Sequence, residues 1–204
     1  MSYAGKAEYD LAIADQTKAI GLYAQFEEAY SSRGDAYLAK GDYDLAIVDH
    51  VKAGEIAPKN EDVFRSLGIA RFVVGDFKGA ATVLLHAVEL KDDANAMLFR
   101  YLARRRVGEA GEAELEANAG RLETKEWPYA AVELYLGKRS PAATLDAAIE
   151  PHDHCQAQFH IGEWHLLKGN KPDAESALTS AIKSCPKTCE EYIAAVAEYK
   201  RLTP

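Results

Sequence analysis

The sequence predicts an all-α chain wound as an α-solenoid of antiparallel helix pairs, about 11–12 helices in a right-handed superhelix. Three observations lead there. One segment returns at a fixed period, as Ala7-Glu8-Tyr9-Asp10-Leu11-Ala12-Ile13, Gly41-Asp42-Tyr43-Asp44-Leu45-Ala46-Ile47 and Gly75-Asp76-Phe77-Lys78-Gly79-Ala80-Ala81, each step being 34 residues. The stretch before each turn recurs too, as Tyr30-x-x-Arg33-Gly34-x-x-Tyr37 and Phe64-x-x-Leu67-Gly68-x-x-Arg71, with the small residues Ala53 and Ala87 further along. Finally, small residues stand where the two helices of a pair must cross, Gly34 with Ala46 and Gly68 with Ala80.

Each element follows from that pattern. Antiparallel helices approach closely only over small side chains, so Tyr37, Tyr43 and Phe77 fill the volume beside the crossing, and Gly41 and Gly75 take the turn between helices. One hairpin leaves an apolar face bare, and stacking the next hairpin on it buries that face. Residues 7–26 read as the second helix of a unit whose first helix is absent from the sequence. Residues 27–60, closed by Pro58, and 61–94 are regular helix pairs. Residues 95–126 and 127–150 are degenerate pairs, with Ser140 as N-cap and Pro141 at the first helical position of the last of these helices. The period returns over 155–187 in Phe159-x-x-Gly162, Gly169, Ala174 and Ala181, and residues 188–202 form a capping helix. No linker divides the chain, so residues 1–204 are expected to form a single domain.

This spacing, with small and aromatic residues at its fixed positions, resembles the tetratricopeptide (TPR) repeat family. A second resemblance lies in Trp127-Pro128-Tyr129-Ala130-Ala131-Val132-Glu133-Leu134-Tyr135-Leu136-Gly137-Lys138-Arg139-Ser140, continued by Phe159-His160-Ile161-Gly162-Glu163, Leu166, Leu167, Gly169 and Glu191. That run is similar to the bacterial envelope lipoprotein NlpI and its relatives. The resemblance implies a periplasmic or outer-membrane-associated dimeric adaptor that docks a tail-specific protease and peptidoglycan hydrolases; a cytoplasmic location is the alternative. The chain as written starts without a lipobox cysteine or a secretory signal.

Composition narrows the function classes. Of 204 residues 48% are apolar, enough for a real core, and 24 basic against 32 acidic side chains leave a net charge of -8, which disfavours nucleic acid or an anionic membrane as partner. No apolar run approaches the roughly 18–20 residues of a transmembrane segment. No Gly-rich phosphate loop, nucleophile elbow, His-Glu-x-x-His or Cys-x-x-Cys occurs, so no enzyme activity and no cofactor are expected. The expected function is a protein-protein interaction adaptor that takes a protein or peptide ligand in the concave groove. The rival is a self-assembling structural protein that forms a homo-oligomer through its terminal helices, above all the unpaired N-terminal helix with Tyr9, Leu11, Ile13 and Ile20.

For the groove, the inward sides of the first helices read Glu28, Ser31, Asp35 and Leu38, then Asp62, Arg65, Ile69 and Phe72, then Phe99, Ala103 and Arg106. Asp35, Arg65, Phe72, Phe99, Arg100 and Arg106 are the candidate partner-binding residues, with apolar anchors and orienting charge. The competing reading packs Phe72 and Phe99 between repeats. A clamp for a C-terminal carboxylate would need Lys or Asn where Ser31 and Asp35 stand. Arg100, Arg104, Arg105 and Arg106 form the densest basic run, which either receives an acidic group or pairs with Glu109, Glu112, Glu114 and Glu116 on the following helix. His152, His154, Cys155, His160 and His165 match no zinc spacing, and no metal site is expected. Cys155 and Cys185 fall at adjacent ends of one helix pair; a disulfide there would contribute on the order of 3–4 kcal/mol on chain-entropy grounds. Cys189 competes for the same partner, and three free buried thiols are the alternative.

Overall fold

Twelve helices and no strand make up the computed structural model, which describes residues 3–203. They are α1 (Tyr3–Leu22), α2 (Glu27–Lys40), α3 (Tyr43–Ile56), α4 (Glu61–Val74), α5 (Phe77–Leu90), α6 (Ala94–Arg106), α7 (Glu112–Ala119), α8 (Tyr129–Tyr135), α9 (Pro141–Ala147), α10 (Pro151–Leu167), α11 (Lys171–Ser184) and α12 (Glu190–Leu202). Successive helices pack on each other along the chain, so the architecture is the α-solenoid that the repeat predicts.

Local chemistry sets the boundaries. The side chains of Asn60, Asp76, Asp93 and Ser140 accept backbone N–H bonds from Asp62, Gly79, Ala96 and Ala143 and so start α4, α5, α6 and α9. Gly41 and Gly75 end α2 and α4 in the left-handed region, at φ 95° and 87°, where a side chain would be strained.

The crossing glycines have partners one turn beyond those expected. A Cβ on Gly68 would lie 2.4 Å from Leu84 Cγ, one on Gly162 2.9 Å from Leu178, and one on Gly34 2.8 Å from the His50 ring. Ala46 and Ala80 are fully buried beside these contacts, but the residue that fills the space over the glycine is the next one along the same helix face. His50 therefore occupies a place that leucine holds in the other two pairs. Its ring is completely buried; Nε2 lies 3.5 Å from an Asp35 carboxylate oxygen, but neither nitrogen makes a hydrogen bond among the described residues.

The solenoid curls until its last helix meets an early one. α12 does not simply cap the C-terminal end: besides α11 and α10 it packs against α4. Glu190 at its start lies by Arg65 near the start of α4, and Arg201 at its end donates to the Phe72 carbonyl at 3.2 Å and to the Val73 carbonyl at the end of α4. The two helices thus run in the same direction, and the Arg201 guanidinium satisfies carbonyls that the end of α4 leaves free. Arg201 also lies over the Phe77 ring, 5.4 Å from its centroid.

Burial pushes the His50 pKa down to about 4. The unfolded chain, with an ordinary imidazole near 6.5, binds more protons between those values, so this group's contribution to stability is lost as pH falls from about 6.5 towards 4. His50→Leu is expected to raise stability by about 1–2 kcal/mol near neutral pH by removing two unpaired buried nitrogens. The gain should be larger at about pH 5 than at about pH 8; denaturant midpoints at the two pH values check it.

Candidate functional site

Phe72 and Phe99 are wholly buried and do not face an open groove, which corrects their assignment as ligand anchors. Their rings meet edge-on at 5.5 Å, and Phe99 stacks on Phe159 at 5.6 Å, so they bind α4, α6 and α10 to each other. Arg100 is also removed from the groove. It pairs with Glu114 of α7 and donates to the Ala81 carbonyl of α5, while Arg104 reaches Glu109 at 2.9 Å as well as Glu114, and Arg105 reaches Glu112 at 3.0 Å. The basic run is spent within the chain.

Arg106 points inward, to the chain's own C-terminal half. Its guanidinium lies 2.8 Å from Glu163 of α10 and 2.8 Å from Glu198 of α12. Both carboxylates are buried, and Glu198 is shared with Arg201. Arg106 further lies over the Phe77 ring, 5.6 Å from its centroid, as Arg201 does at 5.4 Å. Two guanidinium groups and two carboxylates therefore form one network around a phenyl ring. Burial and the neighbouring Glu198 carboxylate push the Glu163 pKa up to about 7, against the pull of Arg106. This network fills the part of the concave face where Arg106 was expected to meet a partner.

What remains open is a recess of about 420 Å³ between α1, α2, α4 and the start of α12. Asp35, Leu38, Arg65, Glu190 and Ile193 line it, so two of the six expected groove residues, Asp35 and Arg65, do face one open site. Arg65 is already matched, by Asp62 at 3.0 Å and by Asp93 and Glu190 at 3.4 Å each. The recess is thus acidic in balance. Asp35 exposes about 60% of its side chain, but it sits on a concave floor where surrounding protein displaces solvent. That burial, with Asp62 nearby and against the pull of Arg65, raises its pKa to about 6. Glu190, 24% exposed, is raised to about 7 by burial and by the acidic side chains around it, again against Arg65. Both carboxyls are ready to be stabilised by an incoming cation.

A second cluster lies at the other side of the start of α12. Cys155 and Cys185 are bonded to each other, with Cα atoms 5.1 Å apart. Cys189 stands beside them: ligand atoms of His152, Cys155 and Cys189 lie within 4.8 Å of one another. The Cys189 thiol donates to Glu191 at 2.7 Å; Gln156 donates to the same carboxylate at 2.8 Å and accepts from the Trp127 indole at 2.6 Å. Burial and Glu191 push the Cys189 thiol up. His160 and His165, considered with His152 from the sequence, lie elsewhere: His160 is buried against the Tyr135 hydroxyl at 3.0 Å, and His165 sits by Trp164. Cys185 and Cys189 thus both lie by Cys155, the neighbourhood that the sequence indicates, and the bond forms between Cys155 and Cys185; the sequence expectation of no metal site rests on the histidines and Cys155, not on His152 together with Cys189.

Residues 27–60 match the tetratricopeptide repeat family, which covers α2, α3 and the turn into α4. Among solved structures the chain is similar to that of YrrB, described as "a TPR protein with an unusual peptide-binding site", at 23% identity, over 95% of this chain and 84% of that one, with a TM-score of 0.49. No curated protein matches the chain.

Arg106→Met is expected to cost about 3–5 kcal/mol, because it leaves Glu163 and Glu198 buried with one guanidinium too few. Arg105→Met, on the same turn but with its ion pair at the surface, should cost no more than about 1 kcal/mol. Chemical denaturation of the two variants beside the wild type makes the comparison.

Proposed function

We propose that the chain is a non-catalytic protein-interaction module, and that its working site is the acidic recess walled by α2, α4 and the start of α12. The observation that carries this reading is the charge of the recess beside α12, where Asp35 and Glu190 outnumber Arg65. Among the described residues the permanent cation at the recess is Arg65, which already serves three carboxylates, and the His50 ring 3.5 Å from Asp35 is held neutral by burial. A short segment presenting Lys or Arg to Asp35 and Glu190 matches the recess in charge. The repeat match over residues 27–60 supports the class, because the helices it covers supply Asp35 and Leu38.

The narrower role, an NlpI-type adaptor recruiting an envelope protease or peptidoglycan hydrolases, rests on the Trp127–Ser140 motif. The Cys155–Cys185 bond favours an oxidising, periplasmic location for it.

A second reading is self-association through the N-terminal end. Leu11 is 68% exposed and Leu22 89% exposed, and Tyr23 with Phe26 continues this apolar surface beyond α1. A copy of the same chain would cover it in an isologous contact. Sedimentation should then give a dimer for the wild type and a monomer for Leu11→Glu combined with Leu22→Glu. An unchanged, monomeric wild type removes this reading.

Peptide arrays graded in charge test the first. Lys- and Arg-bearing peptides should be retained, more weakly at about pH 5 than at about pH 8, because the raised carboxyls of Asp35 and Glu190 are protonated at the lower value. Asp35→Lys, with its helical circular dichroism intact, should lose about tenfold or more in affinity. Equal binding by that variant would place the site elsewhere.

A further inference from the structure

We propose that reduction of the Cys155–Cys185 bond turns the junction of α10, α11 and α12 into a Cys3His site for a thiophilic divalent cation, zinc above all, held by Cys155, Cys185, Cys189 and His152. The four residues come from three elements that the fold holds together. His152 and Cys155 are three apart in the first turn of α10 and share a face. Cys185 ends α11 and Cys189 precedes α12, and antiparallel packing of α11 on α10 returns both to that turn.

The distances fit the ion. A tetrahedral zinc with bonds of about 2.3 Å to sulfur and about 2.0 Å to nitrogen separates its ligand atoms by about 3.4–3.8 Å. Ligand atoms of His152, Cys155 and Cys189 already lie within 4.8 Å of one another, and Cys185 Sγ is bonded to one of them. Modest convergence of three side chains and separation of the two bonded sulfurs yields the tetrahedron. Burial is graded as such a site needs: Cys155 and Cys185 are inside, Cys189 is half-buried, and His152 is exposed on the entry side. In the metal-free chain Glu191, oriented by Gln156, accepts from the Cys189 thiol and keeps this sulfur turned to the cluster; that bond is given up when the thiol loses its proton to the cation.

The two states exclude each other. A dithiol reductant gives two electrons and two protons to the Cys155–Cys185 bond and is itself oxidised to a disulfide. The S–S bond breaks, leaving thiols on both residues. The cation then binds three thiolates and a neutral imidazole nitrogen, and the three thiol protons go to solvent. In the disulfide state two of the four ligands are committed to each other, and only His152 and Cys189 remain.

Cobalt(II), a spectroscopic stand-in for zinc, tests this with the full chain, oxidised or reduced under inert gas. The reduced chain should take up one equivalent with a near-ultraviolet thiolate charge-transfer band and the visible bands of tetrahedral cobalt, and zinc should bleach both. The oxidised chain should show neither. Cys189→Ser should lower the charge-transfer intensity by about a third, in proportion to the thiolates left. His152→Ala should shift the visible bands. Cobalt spectra that are the same in the oxidised chain, or in both variants, overturn the proposal, as does a reduced chain that binds no cobalt. If reduction alone melts the helices, their recovery on adding zinc supports the site, and failure to recover rejects it.

Discussion

The buried network of Arg106, Glu163, Glu198 and Arg201 is the constraint around which this solenoid closes. Two carboxylates taken out of water are tolerable only if cations meet them; α12 brings one cation of its own, Arg201, and the second, Arg106, must come from α6. Arg106 comes from α6, Glu163 from α10, and Glu198 with Arg201 from α12. The charges are satisfied only when the chain has curled far enough for α12 to come back to α4 and α6. Hydrophobic stacking between neighbouring repeats is indifferent to such long-range closure. The ion network is not, and both guanidinium groups lie against the Phe77 ring, which gives the network an apolar neighbour.

Much of this fold is legible in the sequence because repeats encode local relations. The glycine turns and the caps concern residues within a few turns of one another, and the period relates one helix pair to the next, which is enough to indicate an all-helical solenoid. The closure is not legible in that way. Arg106 reads as a groove cation; only the three-dimensional return of α12 joins it to Glu198 and Arg201. The same return explains Phe72 and Phe99. Their position on the inward side of α4 and α6 is as the periodicity indicates, but the inward side is covered by other helices there, so the rings become core. His50 is a subtler case, since comparing the repeats aligns it with Leu84 and Leu178, and the cost of a polar ring in that place shows only when its neighbours are known.

The candidate site was half legible for the same reason. Asp35 and Arg65 lie on consecutive first helices, and the repeat places them side by side. Glu190, which makes the recess acidic and half-enclosed, comes from the far end of the chain, and no period connects it with them. The cysteines show the converse. Cys155 and Cys185 share one helix pair, His152 lies three residues before Cys155 on α10, and Cys189 follows Cys185 by four residues, so this cluster rests on local relations that the sequence carries.

α12 is thus the element on which the remaining surfaces depend. Its first turn carries Glu190 into the recess and is joined through Cys189 and Glu191 to the cysteine cluster; its last turn is fixed by Glu198 and Arg201. Between them Ile193, Ala194 and Ala197 are buried. A ligand that needed the whole concave face would have to lift this helix, stranding buried carboxylates and exposing those side chains together. A ligand confined to the recess meets no such penalty. The energetics therefore favour a short segment with a terminal cation over a long helix laid along the superhelix, and they make the seat of the first turn of α12 the quantity that sets the shape of the recess.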